Sequence, residues 1–245
     1  MAGPFFRVEG LTRRFGGLLA VNDVSFELRR DQIVGLIGPN GAGKSTFFNC
    51  IAGDMTPNEG RIVFAGADLT DASPETHARA GIGRTFQVPT TFEDMSILDN
   101  VVVGAFLRHP HRHDALAGAA EVLEFTGLKE FQHQRARSLG TPGRKRLEIA
   151  RVLATSPRLM LLDEVLAGLN PAELQAGIDL LRRVHARGIT LVIVEHIMEV
   201  IMTLAQRVLV FNQGHVIAEG KPSEVVANPI VIEAYLGRGR RKRRT

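Results

Sequence analysis

The chain has 245 residues, which is enough for one large α/β unit with a smaller inserted lobe and too few for two independent enzymes. Hydrophobic residues make up 44% of it, and no uncharged apolar run reaches about 18 residues, so the sequence predicts a globular protein without a membrane-spanning helix. The net charge is +4, but six basic residues lie in the tail 238–245, which leaves −2 for the remainder and argues against a specific nucleic-acid partner.

The two ends of the chain and its cysteine content allow further predictions. We expect residues 238–245 to be a disordered basic tail that contacts anionic lipid headgroups, contacts nucleic acid non-specifically, or has no dedicated partner. The N-terminal MAGPFFRVEG lacks the basic region and apolar core of a secretory signal. Cys50 is the only cysteine, which fits a reducing compartment. These features predict a cytoplasmic protein.

The opening third has the pattern of β-strands. Phe6 and Val8 alternate with polar residues, as do Val24, Phe26 and Leu28, which is typical of strands that are buried on one face. This segment precedes the strongest motif in the chain.

That motif is GPNGAGKST, Gly38–Thr46, which directly follows the apolar run Ile33–Ile37 and contains the P-loop pattern. Its glycines let successive backbone N–H groups converge on an anion, and the N-terminus of the next helix adds partial positive charge. Lys44 can reach the β- and γ-phosphates of a nucleotide, and Ser45 can offer its hydroxyl to Mg²⁺. The sequence therefore predicts a site for ATP and Mg²⁺.

The middle of the chain, 88–155, changes to a helical pattern, with apolar residues at helical spacing in 116–123 and 147–154. The last third, 156–237, returns to strands that alternate with helices. It contains the predicted strand Leu159–Leu162, helix Pro171–Ala186 and strand Leu191–Val194, followed by a hairpin around 212–215.

This alternation predicts a mainly parallel sheet with a small antiparallel part at the N-terminus. The expected fold class is α/β, with a P-loop nucleotide-binding core and a small inserted α-helical lobe. The core comprises 1–87 and 156–237, and the lobe comprises 88–155.

Two carboxylates, Asp163 and Glu164, follow the apolar strand Leu159–Leu162. A carboxylate at the end of a parallel strand beside a P-loop can hold Mg²⁺ through water. The next carboxylate can act as general base on the attacking water or polarise it. We therefore expect Asp163 in the metal site and Glu164 in catalysis.

In these motifs the chain resembles the ATP-binding subunits of ABC transporters over about residues 5–237. The resemblance implies that Phe15 lies against the adenine ring, that Gln87 meets Mg²⁺ and water, and that His196 contacts the γ-phosphate. The residues implied to bind ATP are Phe15, Asn40, Gly41, Ala42, Gly43, Lys44, Ser45 and Thr46. Those implied to hold Mg²⁺ are Ser45, Gln87 and Asp163, and those implied in catalysis are Glu164, His196 and Gln87.

One element departs from this family. Its signature loop, Leu-Ser-Gly-Gly-Gln, aligns with Leu139–Gly143, where Gly140 lacks the serine hydroxyl and Pro142 removes a backbone N–H. We expect a weakened phosphate contact, with Thr141 as N-cap and Pro142 at the first helical position. Asn170 stands where many members carry an aspartate that faces the partner subunit.

The strings FGGLLAVNDVSFEL, RTFQ, RLEIARVLA, AGLNP and NPIVIEAYLG are similar to importers of branched-chain and other hydrophobic amino acids, and related importers of urea and amides share them. The resemblance implies a subunit on the cytoplasmic face of the cell membrane. It would pair with a second ATPase subunit, identical or different, bind permease subunits, and depend indirectly on a substrate-binding protein. Two other functions stay open: a soluble ATPase acting on ribosomes or nucleic acid, and a non-hydrolysing scaffold, against which Glu164 and His196 argue.

Overall fold

The computed structural model describes residues 5–87 and 90–236, so the predicted basic tail 238–245 lies outside the described residues. The strands, in chain order, are β1 (Phe6–Phe15), β2 (Leu18–Leu28), β3 (Ile33–Ile37), β4 (Glu59–Phe64), β5 (Ala67–Asp68), β6 (Ile82–Arg84), β7 (Leu159–Asp163), β8 (Thr190–Val194), β9 (Arg207–Asn212) and β10 (His215–Gly220). The α-helices are α1 (Lys44–Ile51), α2 (Pro74–Ala80), α3 (Ile97–Ala105), α4 (Arg112–Thr126), α5 (Thr141–Ala154), α6 (Pro171–His185), α7 (Met198–Leu204), α8 (Pro222–Val226) and α9 (Pro229–Leu236). No helix among the described residues is long and apolar enough to cross a bilayer.

The strands form two sheets. One is antiparallel with the order β2-β1-β4-β5, and the other has the order β10-β9-β3-β8-β7-β6. In the second sheet, all neighbouring pairs from β9 to β6 are parallel, and the β9–β10 hairpin adds an antiparallel edge. The predicted α/β fold, with its parallel core and antiparallel N-terminal part, is confirmed. The hairpin at 212–215 is confirmed as well, and it extends the parallel sheet rather than standing apart.

Continuous apolar runs occupy the centre of the parallel sheet because those strands are covered on both faces. β3 and β8 are buried at every position. Phe47 of α1 lies on one face, where its ring centroid is 5.1 Å from that of Phe211 and 6.3 Å from that of Phe26 on the antiparallel sheet. The P-loop helix is therefore anchored by aromatic packing between the two sheets.

The helical pattern predicted for the middle of the chain corresponds to α3, α4 and α5, which pack on one another. Their buried side chains, such as Val101, Ala119 and Leu147, belong to one apolar cluster with Met160 of β7 and Ile178 of α6. The boundaries of the lobe at 88 and 155 stay a prediction.

The start of α6 carries a capping box. Oδ1 of Asn170 accepts from the Glu173 N–H at 3.0 Å, and Oε2 of Glu173 accepts from the Asn170 N–H at 3.0 Å. Replacing Asn170 with alanine is expected to lower the free energy of unfolding by about 1 kcal/mol, because the Glu173 N–H loses its side-chain acceptor. Asn170→Asp keeps the acceptor and should stay close to wild type in denaturant unfolding. Equal stability of the alanine and aspartate variants would contradict this prediction.

Candidate nucleotide site

Four neighbouring parallel strands end at the same edge of the sheet, in the order β3, β8, β7, β6. The P-loop Gly38–Thr46 follows β3, His196 follows β8, Glu164 follows β7, and Gln87 follows β6. Ligands of open parallel sheets bind beyond the carboxyl ends of the strands. The topology thus brings residues from four distant parts of the chain to one place.

The P-loop folds tightly because two of its glycines adopt conformations that other residues avoid. Gly38 has φ +154° and Gly43 has φ +102°. A Cβ on Gly38 would collide with the carbonyl oxygen of Phe211, and one on Gly43 with that of Ala20. Only glycine fits where the loop approaches neighbouring backbone so closely.

Lys44 is buried at the start of α1. Its Nζ donates to the carbonyl oxygen of Gly38 at 2.6 Å and to that of Pro39 at 3.1 Å. Burial lowers the pKa of Lys44, while the negative charges of Glu164 and Asp163 act to raise it. The ammonium group is therefore held by the loop itself and is balanced electrostatically by the two carboxylates.

Both carboxylate oxygens of Glu164 contact side chains of the site. Oε1 lies 2.9 Å from Nε2 of His196, and Oε2 accepts from Nε2 of Gln87 at 2.9 Å. The three residues predicted for catalysis are thus in direct contact, although Gln87 is separated from Glu164 by 77 positions.

Asp163 is buried at the end of β7. Burial raises its pKa, and the Arg84 guanidinium, with Nη2 3.7 Å from Oδ2, is the main group that lowers it. A divalent cation beside this carboxylate would stabilise its charged form. The hydroxyl of Ser45, the amide oxygen of Gln87 and the carboxylate of Asp163 are hard oxygen donors, which Mg²⁺ prefers. The chemistry of the predicted metal ligands therefore fits this ion.

A cleft of about 580 Å³ lies above these groups. All eight residues predicted to bind ATP line it, together with Gln87, Glu164 and His196, whereas Asp163 is not among its lining residues. Phe15 stands at its edge with 43% of its surface exposed, and the Arg13 guanidinium lies 5.1 Å from its ring centroid. Residues 18–20 and 213–214 also line the cleft, and sequence reasoning did not identify them.

The segment aligned with the signature loop begins α5 differently from our expectation. Gly140, with φ −68° and ψ 174°, is the N-cap, and it makes no side-chain capping bond. Thr141 is therefore the first helical residue and Pro142 the second, so the predicted N-cap at Thr141 was wrong. The helix N-terminus retains the N–H groups of Thr141 and Gly143, which have no intrahelical acceptor.

Comparison with known proteins agrees with this geometry. The family model described as "ABC transporter" matches residues 21–167. The chain belongs to the ABC transporter family. A second family model, described as "Branched-chain amino acid ATP-binding cassette transporter", matches residues 215–240.

Several curated ABC transporter proteins resemble the chain over almost its whole length. It is 42% identical to the high-affinity branched-chain amino acid transport ATP-binding protein LivG of Salmonella typhimurium, over 97% of this chain and 99% of that protein. It is 40% identical to BraF of Pseudomonas aeruginosa, which has the same description, over 97% of this chain and 99% of BraF.

Among solved structures, the chain is similar to a nucleotide-free ATP-binding cassette from an ABC transporter, with 29% identity and a TM-score of 0.88 over 96% of this chain and all of the other. An ATP-binding cassette in its ADP conformation matches at 30% identity with a TM-score of 0.87, again over 96% and 100%. The chain is accordingly an ATP-binding and ATP-hydrolysing subunit.

Proposed function

We propose that this chain drives the import of branched-chain amino acids by hydrolysing Mg²⁺-ATP, with Glu164 as general base. The observation that carries the proposal is the contact of Glu164 with His196 and Gln87 in the cleft that the P-loop lines. The similarity to LivG and BraF supports the cargo class.

The chemistry starts with ATP bound along the P-loop, its phosphates facing Lys44 and its adenine near Phe15. Mg²⁺ bound with ATP would be held by Ser45, Gln87 and Asp163 and would neutralise phosphate charge. A water oxygen forms a bond to the γ-phosphorus while the bond from that phosphorus to the β-γ bridging oxygen breaks, which yields ADP and phosphate. Glu164 accepts the proton of the water.

The attacking water must reach a carboxylate oxygen of Glu164, and each of these oxygens is contacted by one neighbour, His196 at Oε1 and Gln87 at Oε2. Gln87 is exposed and uncharged, so its bond is the one we expect to open when ATP and water enter. His196 then continues to orient the carboxylate through Oε1 and to face the γ-phosphate.

The assembly we propose is a head-to-tail pair with a second ATPase subunit, bound to permease subunits on the cytoplasmic face of the cell membrane and supplied by a substrate-binding protein. The signature segment would then face the partner's ATP. A second cleft of about 590 Å³, lined by Thr141 and Gly168 and reaching Glu164, lies on that side of the catalytic residues. The helical lobe would carry closure of the pair to the permease through the segment near Gln87.

Cargo can be tested by uptake. Cells lacking this chain should lose high-affinity uptake of labelled leucine, isoleucine and valine, and the wild-type gene should restore it while Glu164→Gln should not. Retained branched-chain amino acid uptake together with lost urea or amide uptake would support the alternative cargo. Unchanged uptake of all these solutes would contradict an importer role for this chain.

The altered signature predicts an asymmetric pair. Gly140 and Pro142 lack a hydroxyl and an N–H that would face the partner's phosphate, and each contact to a charged group contributes about 1.5–3 kcal/mol. The chain alone, as a homodimer, should therefore hydrolyse ATP on the order of a hundredfold more slowly than with a partner whose signature is complete.

The measurement compares glutamate-to-glutamine variants of the two subunits, one at a time, in the assembled complex. Glu164→Gln in this chain is expected to remove most of the ATP turnover of the complex. The corresponding variant of the partner should remove only a small part of it. Equal losses, together with brisk hydrolysis by this chain alone, would show that the altered signature has no functional effect.

A further inference from the structure

Helix α5 carries three charged residues at three-residue spacing, Lys145, Glu148 and Arg151, which places them along one face. Lys145 and Glu148 are buried. Their hydrogen bonds do not join them to one another. Each is made to a backbone group of a different segment of the site.

Lys145 holds the backbone of the proposed general base. Its Nζ donates to the carbonyl oxygen of Glu164 at 3.1 Å. Glu164 has φ +48°, a left-handed conformation that costs a non-glycine residue on the order of 1 kcal/mol or more and persists only where surrounding contacts enforce it. The Glu164 N–H donates to the carbonyl oxygen of Val194 at 2.9 Å, so both backbone polar groups of this residue are fixed.

The next turn of the same segment is fixed in the same way. Oε1 of Glu195, which is buried directly before His196, accepts from the N–H of Leu166 at 2.9 Å. The carbonyl of Glu164 and the N–H of Leu166 are thus each held by a buried ionisable side chain.

Glu148 and Arg151 hold the backbone on either side of Gln87. Glu148 Oε1 accepts from the N–H of Phe86, and Arg151 Nη1 donates to the carbonyl oxygen of Thr90. Along one face of α5, therefore, three successive turns attach to the segment of Glu164 and to both flanks of Gln87.

These contacts come at an energetic cost. Burial is the largest influence on both residues: it lowers the pKa of Lys145 and raises that of Glu148, while the opposite charge of each acts against the shift of the other, so desolvation disfavours both charges. Neither residue forms an ion pair with a partner in the described part of the chain. Apolar residues of similar size would avoid this cost in a helix that served only to fill the core.

We infer that Lys145 and Glu148 are positioning residues for ATP hydrolysis, which set the backbone of Glu164 and of Gln87 relative to helix α5. The inference rests on the proposed roles of Glu164 and Gln87. Because α5 begins at the segment that would face the partner's ATP, any tilt of this helix is passed to both residues at once. The two nucleotide sites of a pair would be linked by these two side chains.

The test separates catalysis from nucleotide binding. Lys145→Met and Glu148→Leu remove the hydrogen bond with little change of volume, and each is expected to lower kcat at least tenfold while ATP affinity, measured with a fluorescent ATP analogue, changes less than twofold. Glu148→Gln keeps an oxygen acceptor of the same shape and should retain at least half of kcat. Arg146→Met is the matched control, because Arg146 is the next residue on α5 and its side chain makes no hydrogen bond or ion pair to any residue between 5 and 236 that the structure describes.

A wild-type kcat for both Lys145→Met and Glu148→Leu would overturn the inference, as would equal losses in Glu148→Leu and Glu148→Gln. If Lys145→Met does not fold, Lys145→Gln replaces it. The amide of Lys145→Gln can still donate but reaches less far than the lysine ammonium, so this variant should retain between a tenth and a third of the wild-type kcat. A full kcat in Lys145→Gln would count against the inference. Glu164→Gln is measured in parallel. Turnover that survives in Glu164→Gln contradicts the proposed function itself, whereas turnover lost there and retained in the α5 variants contradicts only the positioning role.

Discussion

Glu164→Gln is expected to abolish ATP turnover and leave ATP binding intact. Glutamine has the shape of glutamate, and its amide can keep a contact with His196, but it cannot accept the proton of the attacking water. Loss of a general base costs about 10²–10⁴-fold in rate. The cleft and Lys44 are unchanged, so the dissociation constant for ATP should stay within about twofold of wild type, or fall because the bound state no longer turns over.

The matched control is Glu199→Gln, which alters an exposed carboxylate in the first turn of α7, a few residues beyond His196. It should hydrolyse ATP at close to the wild-type rate. Phosphate release under saturating ATP measures turnover, and equilibrium binding of a fluorescent ATP analogue measures affinity. Hydrolysis by Glu164→Gln at more than a tenth of the wild-type rate would remove Glu164 from the role of base.

Lys44→Ala is expected to lose nucleotide affinity instead. The ammonium group is the buried cation of the P-loop, and a charge-assisted hydrogen bond to phosphate contributes about 1.5–3 kcal/mol, or roughly ten- to a hundredfold in the dissociation constant. The substitution also removes the Lys44 donor from the carbonyl oxygens of Gly38 and Pro39, of which Pro39 keeps the N–H of Ala42, so the loop loses part of its preformed shape.

Lys129→Ala provides the control, because it removes a lysine whose partner is Glu124 on the surface of the lobe. Titration with ATP and with ADP, each followed by calorimetry, should show weaker binding of both nucleotides to Lys44→Ala and unchanged binding to Lys129→Ala. Unaltered ATP affinity in a folded Lys44→Ala protein would contradict the assignment of the P-loop.

Local patterns were sufficient for the main elements of the fold. The runs Ile33–Ile37 and Leu191–Val194 are uniformly apolar because strands covered on both faces need no polar side, and both are strands in the structure. The P-loop was predictable for a similar reason, since its glycines and lysine act through the backbone of one short segment. The first and last residues of helices and strands were harder to predict than the elements themselves. The N-cap of α5 lies at Gly140 rather than Thr141, because the end of a helix depends on where the chain turns into its neighbours and not on side-chain preference alone.

The roles of Phe15, Gln87 and His196 could be anticipated only through family resemblance. Nothing in the spacing of Gln87, Glu164 and His196 requires that they touch; the strand order β8-β7-β6 brings their loops together. The same holds for the residues that sequence reasoning missed. Arg84 is part of the RTFQ string, which does not indicate a contact with Asp163, and its approach to Asp163 follows from the pairing of β6 with β7.

By itself, the sequence determined the α/β class, the nucleotide loop and the chemical identities of the acidic and basic groups, because these depend on periodicity and on motifs a few residues long. The tertiary structure alone decided which backbone groups those side chains hold. In the sequence, Lys145 and Glu148 have the pattern of ordinary charges on an amphipathic helix. Lys145 is buried against the carbonyl of Glu164, and Glu148 against the N–H of Phe86, because of how α5 packs on the sheet. Apart from proline, all residues have the same backbone groups, so a contact between a side chain and a distant peptide group leaves no local pattern by which it could be recognised.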